Sequence, residues 1–322
     1  MMKNDDFHWM TYCQVGSWID NDEAESLEQQ ISTDPSNKIA RAKLLGYYSA
    51  RENTRNDERK QIEHILWVLE HEPKCGLGVT PALHISKLQN PIGFAKAKEI
   101  ALRQAKRFRR NSNVLTDIGS IFRGDDPEFA VSLLRRAYKI SNGTNRDRVA
   151  FWLSMTLACR GRIEKNQADL IEATKLMKES IAQKRPTAKI DFRTWLAKLA
   201  LEANQFATGA EVANEMLSDN SQNDQSVHVA CNVLGTISFQ QGDVRTACER
   251  LIQAGRVNGG HRLRSYGPMM KLAQKLLDVG QKDAVLRYLN DCKSFWEMGQ
   301  PELAQWIIRI EAGETPQLEG DD

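Results

Sequence analysis

Four groupings in this 322-residue chain contain residue types that can do chemistry. The first is Gly76-Leu77-Gly78. A phosphate-cradling turn needs G-x-G-x-x-G between a strand and a helix, so that the backbone can approach the phosphates closely. Here only two glycines are in place, no strand-like run precedes them, and Thr80-Pro81 follows as a cap and first-turn proline, so the glycines read as a turn. The second is His64 with His71, seven residues apart and able to share one helix face. A metal site needs more ligands at suitable spacing, and the sequence supplies none, so both read as surface or packed histidines and no metal is expected. The third, Asp125-Asp126, precedes Pro127 and reads as a turn and N-cap, not as paired carboxylates for acid–base work. The fourth is the set Cys13, Cys75, Cys159, Cys231, Cys248 and Cys292. None forms C-x-x-C, so neither a zinc ribbon nor a redox pair is indicated, and single thiols read as small core hydrophobes of a reduced, cytoplasmic protein. No G-x-S-x-G, H-E-x-x-H or P-loop occurs. A non-enzymatic chain without cofactor is expected.

The elements that would carry these residues follow from composition. Lys+Arg number 44 and Asp+Glu 42, for a net charge of +2, and 41% of residues are hydrophobic. Disordered chains combine low hydrophobicity with high net charge, so that class is excluded, as are collagen and disulfide miniproteins. The densest apolar stretch, Ile65-Leu66-Trp67-Val68-Leu69, is far shorter than a membrane span needs, and Met1-Met2-Lys3-Asn4-Asp5-Asp6 lacks the apolar run of a signal peptide. No membrane partner is expected. Each of the nine prolines sits beside a turn signal or opens an apolar-periodic segment, and Ala, Leu, Glu, Gln, Lys and Arg fill the stretches between. No long stretch alternates apolar and polar, so the chain reads as all-α.

The helices come in pairs that repeat. Cys231-Asn232-Val233-Leu234-Gly235 is followed by the turn Gln241-Gly242-Asp243-Val244 and then by Ala247, Leu251 and Ala254. Small residues at Gly235, Ala247 and Ala254 allow two antiparallel helices to cross closely. Similar offsets recur in Ile118-Gly119 with Ala130 and Ala137, in Trp152 and Cys159 with Ala173 and Met177, in Leu196-Ala197 with Gly209 and Ala213, and in Leu272-Ala273 with Ala284. Units begin near 112, 149, 190, 228 and 266.

These offsets resemble the tetratricopeptide repeat (TPR), although the spacing of the units exceeds the roughly 34 residues of that family. The resemblance implies a TPR-like α-solenoid of stacked antiparallel helix pairs in a right-handed superhelix. Residues 1–111 read as degenerate N-terminal repeats, 112–298 as TPR-like repeats, 299–313 as a C-terminal capping helix carrying Leu303, Trp306, Ile307 and Ile310, and 314–322 as a disordered acidic tail. The stretch Tyr288-Leu289, Cys292, Phe295-Trp296 with this last helix also resembles the C-terminal part of large bacterial TPR proteins.

A TPR-like solenoid works by binding, with its first helices lining a concave groove. Mapped onto this chain, the groove holds Asn113, Thr116, Ser120, Arg123, Leu153, Leu157, Asp191, Thr194, Lys198, Asn232, Thr236, Phe239, Met270 and Gln274. Amides and hydroxyls among them can bond a peptide backbone, and Phe239 and Met270 offer apolar contact. The expected function is that of an adaptor or regulatory subunit binding a protein or peptide there. Residues 96–148 supply an alternative. They hold thirteen bases and six acids, with Lys96, Arg103, Lys106, Arg107 and Arg110 on the outward face of one helix. That block reads as a solvated face or as a site for nucleic acid or an acidic partner.

Overall fold

The structure, a computed structural model, describes residues 8–51, 55–182, 186–219 and 223–319, and at helix positions 55 and 186–191 the backbone alone. Asp191 and the tail residues 320–322 therefore lie outside what is described. Among the described residues the chain forms seventeen α-helices, two short 3-10 turns and no strand. Two compact units are formed, Met1–Asn166 and Gln167–Asp322.

The first unit contains α1 (Trp9–Gly16), α2 (Asn21–Thr33), α3 (Lys38–Ser49), α4 (Arg55–His71), α5 (Pro91–Arg107), α6 (Ser112–Ile121), α7 (Pro127–Ile140) and α8 (Gly143–Ile163). Its helix starts are written in the sequence. Asp20, Asn37, Asn90, Asn111 and Asp126 each accept, through a side-chain oxygen, the N–H of the residue three further on. Each such cap is worth about 1 kcal/mol. Between α4 and α5 the chain makes two 3-10 turns, Leu77–Val79 against α6 and Pro81–Leu83 against α3. Gly76-Leu77-Gly78 is thus the turn that its two glycines indicate, with Gly76 at φ +74°. Helices α1 and α3 cross so closely that a Cβ on Gly46 would fall 1.8 Å from the Cys13 carbonyl oxygen. One continuous apolar core runs from Trp9 through Leu45, Ile65, Phe94, Leu115 and Phe122 to Val149. It spans the division expected at 111/112: Phe94 on α5 meets Phe122, just past α6, edge to face at 5.4 Å.

The second unit contains α9 (Gln167–Ala182), α10 (Pro186–Glu202), α11 (Phe206–Ser218), α12 (Asp224–Gln240), α13 (Val244–Gly255), α14 (His261–Tyr266), α15 (Lys271–Asp278), α16 (Lys282–Cys292) and α17 (Gln300–Glu311). Pairs α10/α11, α12/α13 and α15/α16 form where the small-residue offsets place them, and α12 also packs on α10, α11 and α15. A Cβ on Gly235 would lie 2.5 Å from Leu272 Cδ2 and 3.1 Å from Arg250 Cβ, so this glycine sits where α12 meets α13 and α15. Ala247, Leu251 and Ala254 are fully buried. Helix α17 buries Leu303, Trp306, Ile307 and Ile310.

The tail departs from its expected disorder. Residues 314–319 form no helix or strand, with Pro316 and Leu318 buried and Thr315, Gln317 and Glu319 exposed. The composition of 314–322 is acidic, but two apolar side chains at alternate positions are enough to seat the segment, and Leu318 joins the core of the second unit. No described helix is long and apolar enough to cross a membrane.

Candidate functional site

The mapped groove residues divide by burial. Thr116, Thr194, Asn232 and Met270 are 0%, 4%, 1% and 0% exposed, so they pack inside the helical layers and do not line an open face. The physical reason is local. Thr116 Oγ1 donates to the Ser112 carbonyl at 2.7 Å, a bond within its own helix. Asn232 Nδ2 donates to the His228 carbonyl at 2.9 Å and lies 3.3 Å from His228 Nε2.

His228 explains why that amide is held inward. Its Nδ1 faces the Ala254 carbonyl at 2.9 Å, and its Nε2 faces the Met269 backbone N–H at 3.0 Å. A carbonyl can only accept and a backbone N–H can only donate, so the ring carries its proton on Nδ1. Tyr288 then donates to the Met269 carbonyl at 2.7 Å. This buried constellation bolts α12, the end of α13 and the chain before α15 together, and Asn232 belongs to it.

Ser120, Leu153 and Leu157 are buried as well, whereas Asn113, Arg123, Lys198, Thr236, Phe239 and Gln274 are accessible. Asn113 is exposed and accepts from Arg148 Nη2 at 3.1 Å. Lys198 is half-buried beside Trp195, Gln225 and Arg262 in a 40 Å³ recess. Thr236 and Phe239 are half-buried on α12, with Phe239 packed on the core of the unit. Gln274 on α15 donates from Nε2 to Asp278 at 2.7 Å, and its Oε1 accepts the Leu318 backbone N–H at 2.7 Å. A mapped groove amide thus binds the main chain of another segment of the protein itself. Arg123 is half-buried past the end of α6, its guanidinium 4.9 Å above the Trp152 ring, and burial lowers its pKa.

Lys96, Arg103, Lys106, Arg107 and Arg110 are all exposed, with Phe94, Ala97 and Ala101 buried on the opposite side of α5. Arg110 lies past the end of α5, in the turn before α6, so the outward face of that helix carries the other four bases, and it is partly neutralised. Arg103 bridges Glu70 at 2.5 Å and Glu99 at 2.8 Å, and Arg107 lies over Phe108 at 5.2 Å.

The first unit also has a cleft of about 660 Å³, lined by the end of α3, the first turns of α4, the 78–90 segment and the end of α6. Arg51, Glu58, Thr80, His84, Gln89, Ser120 and Arg123 are among its walls. His84 Nε2 meets Asp125 at 3.0 Å, so Asp125 does more than turn the chain, while Asp126 caps α7 as its position before Pro127 requires.

Beside the cleft, α2, α3 and α4 bury a polar relay. Arg41 Nη1 lies 3.0 Å from His64 Nδ1, and His64 Nε2 lies 3.2 Å from Glu28 Oε1. Arginine only donates, so His64 accepts at Nδ1 and donates from Nε2. Tyr48 also donates to Glu28 at 2.6 Å. Burial pushes the Glu28 carboxyl up, but the hydrogen bonds from His64 and Tyr48 outweigh it and hold the carboxyl below its ordinary range. Burial and the bond to Glu28 push the Tyr48 hydroxyl far up. His64 has both ring nitrogens engaged, so the relay ties α2, α3 and α4 together. His71 is exposed and stacks on Trp67 at 4.6 Å.

Sequence spacing did not point to this relay, to the His228 constellation or to the 78–90 wall, because the partners come from different helices. No group of three or more ligating side chains suited to a metal occurs among the described residues. Cys13, Cys231 and Cys292 are buried, and burial raises their thiols and that of Cys75. The architecture is that of an all-helical protein built from packed helical pairs. No protein-family model and no curated protein matches the chain.

Proposed function

We propose that this chain is a non-enzymatic interaction module, an adaptor or regulatory subunit, whose TPR-like, right-handed array of helix pairs binds a protein partner as an extended peptide on its first helices. What supports the reading is how residues 314–319 lie against α15. Pro316 and Leu318 are buried at alternate positions, and the Leu318 N–H is taken by Gln274. Recognition of an extended peptide uses the same two elements, main-chain hydrogen bonds and pockets for alternate side chains. The accessible residues that would meet such a partner are Asn113, Arg123, Lys198, Thr236, Phe239 and Gln274.

The test is capture of the native partner by the full chain and by two variants of unchanged helical signal. Phe239→Ala with Gln274→Ala removes an apolar contact and a backbone acceptor, and capture should fall at least tenfold. Arg103→Glu with Arg107→Glu and Arg110→Glu should change association rate and salt response more than final affinity. The reverse pattern would favour the second reading, nucleic-acid binding by the 96–148 block. That reading has one observation in its favour: Lys96, Lys106 and Arg110 are exposed and unpaired with any acid among the described residues. Phosphate-backbone binding would weaken steeply with salt.

A further inference from the structure

We infer that the cleft of the first unit binds a small polar ligand through an oxyanion group, phosphate or carboxylate, gripped by Arg123 and Ser120. Arg123 is also one of the accessible mapped groove residues, but the inference rests on the cleft and does not depend on the peptide reading. At about 660 Å³ the cleft has the size of a small-molecule site.

Two of its wall residues have bonding capacity that the protein leaves unused. Ser120, on α6, is 4% exposed, and its Oγ has no hydrogen-bond partner among the described residues. Buried hydroxyls are nearly always satisfied, so an orphan on a residue that lines a cavity marks a place where something else bonds. Arg123 follows three residues later. It makes no hydrogen bond or ion pair with any described residue, and its contact is the face of Trp152, 4.9 Å from the guanidinium. A half-buried cation without a counter-anion is costly. The Trp152 face supports the guanidinium, and its fork of N–H groups matches two oxygens of a carboxylate or phosphate.

The neighbouring acids do not fill this role. Asp125 is taken by His84 Nε2 at 3.0 Å and the Lys87 N–H at 2.8 Å. Asp126 is taken by Lys98 and the Phe129 N–H. Glu58 is the one acid on the cleft wall among the described residues and makes no ion pair with Arg123. Arg51, on the same wall, adds positive field while its own N–H groups bond Asn21 and the Ile19 carbonyl. Thr80, Gln89 and Gly124 complete a polar rim suited to a hydroxylated ligand body.

The experiment titrates the full chain with inorganic phosphate and, separately, acetate, at constant ionic strength in chloride, by calorimetry and thermal shift. Saturable binding of either supports the inference, and which one binds identifies the group. Arg123→Gln should weaken it at least tenfold and Arg123→Lys less. Ser120→Ala should weaken it several-fold while leaving the unfolding midpoint of the ligand-free protein unchanged or higher, because no bond is lost. That last pattern separates a ligand-binding hydroxyl from a structural one, and it stands even if Arg123→Gln fails to fold. Absence of saturable binding by both anions, or undiminished binding by Ser120→Ala and a folded Arg123→Gln, would overturn it.

Discussion

Asp117→Asn is expected to stabilise the protein at neutral pH and to change little in mild acid. Asp117 lies on α6 at 5% exposure, and its Oδ1 has no hydrogen-bond partner among the described residues. Burial raises its carboxyl from the ordinary 3.8 to about 6, against the pull of Arg148, whose Nη1 is 3.7 Å from Oδ1. The folded protein therefore holds this proton more tightly than the unfolded chain. Between the two values the folded state binds more protons, so stability falls as pH rises through that window and is fully reduced above about 6. At about 1.4 kcal/mol for each pH unit of difference, the ionised side chain costs up to about 3 kcal/mol at neutral pH. Asparagine keeps the shape and removes the charge, but it also gives up the attraction to Arg148. Because the value of about 6 already includes that attraction, the net gain is up to about 3 kcal/mol near pH 7.5, shrinking to a few tenths near pH 4. Urea midpoints of both proteins, measured across this range, read the difference directly. A destabilised variant at pH 7.5, or a difference that does not shrink on acidification, would refute the assignment of an unfavourable buried charge.

Gly235→Leu should overpack the junction of α12, α13 and α15 and cost about 1–3 kcal/mol, whereas the exposed Gln241→Ala should leave the urea midpoint where it is. His228→Phe keeps a ring of similar breadth but orphans the Ala254 carbonyl and the Met269 N–H, a loss of about 2–5 kcal/mol that denaturant titration would register. Leu318→Asp should release residues 314–319 from α15, and limited proteolysis should then cut that segment faster than in the parent protein. An unaltered cleavage rate would show that the seat of Leu318 does not hold the segment.

What could be read from the sequence was whatever a single hairpin determines. Gly235 and Ala254 are spaced by the geometry of one helix pair, so their offsets announced the crossing without knowledge of any other unit. The cap at Asp126 acts over three residues and was equally plain. The groove was less legible because the outward direction of a first-helix side chain depends on what the next helix presents. Asn232 occupies a mapped groove position, yet His228, one turn earlier, turns its amide inward. The relay of Glu28, Arg41 and His64 joins residues up to 36 positions apart and has no local signature. The tail misled for a related reason: acidic composition described residues 314–322 as a whole, while burial is decided by Pro316 and Leu318 alone.

The distribution of unsatisfied polar groups bears on where this protein works. Five buried side-chain atoms among the described residues lack a hydrogen bond: Gln104 Oε1, Asp117 Oδ1, Ser120 Oγ, Arg193 Nε and Asn232 Oδ1. In Gln104, Arg193 and Asn232 another polar atom of the same side chain is bonded, to the Glu70 carbonyl, to Asp219 and to the His228 carbonyl respectively. These three are half-satisfied residues of ordinary helix packing. Asp117 and Ser120 are different. They stand three residues apart on α6, the first held by Arg148 at ion-pair distance and the second by nothing, and Arg123 follows with a guanidinium supported by an aromatic face. Alanine at 120 would fold at least as well, since a buried hydroxyl without a partner contributes no net bond and still loses its hydration. Folding alone therefore accounts for Asn232 and Gln104 but not for Ser120 beside Arg123. Departures from the rules of stable folding concentrate where a protein binds or reacts, and in the first unit they concentrate at the end of α6, on the wall of its one large cleft among the described residues.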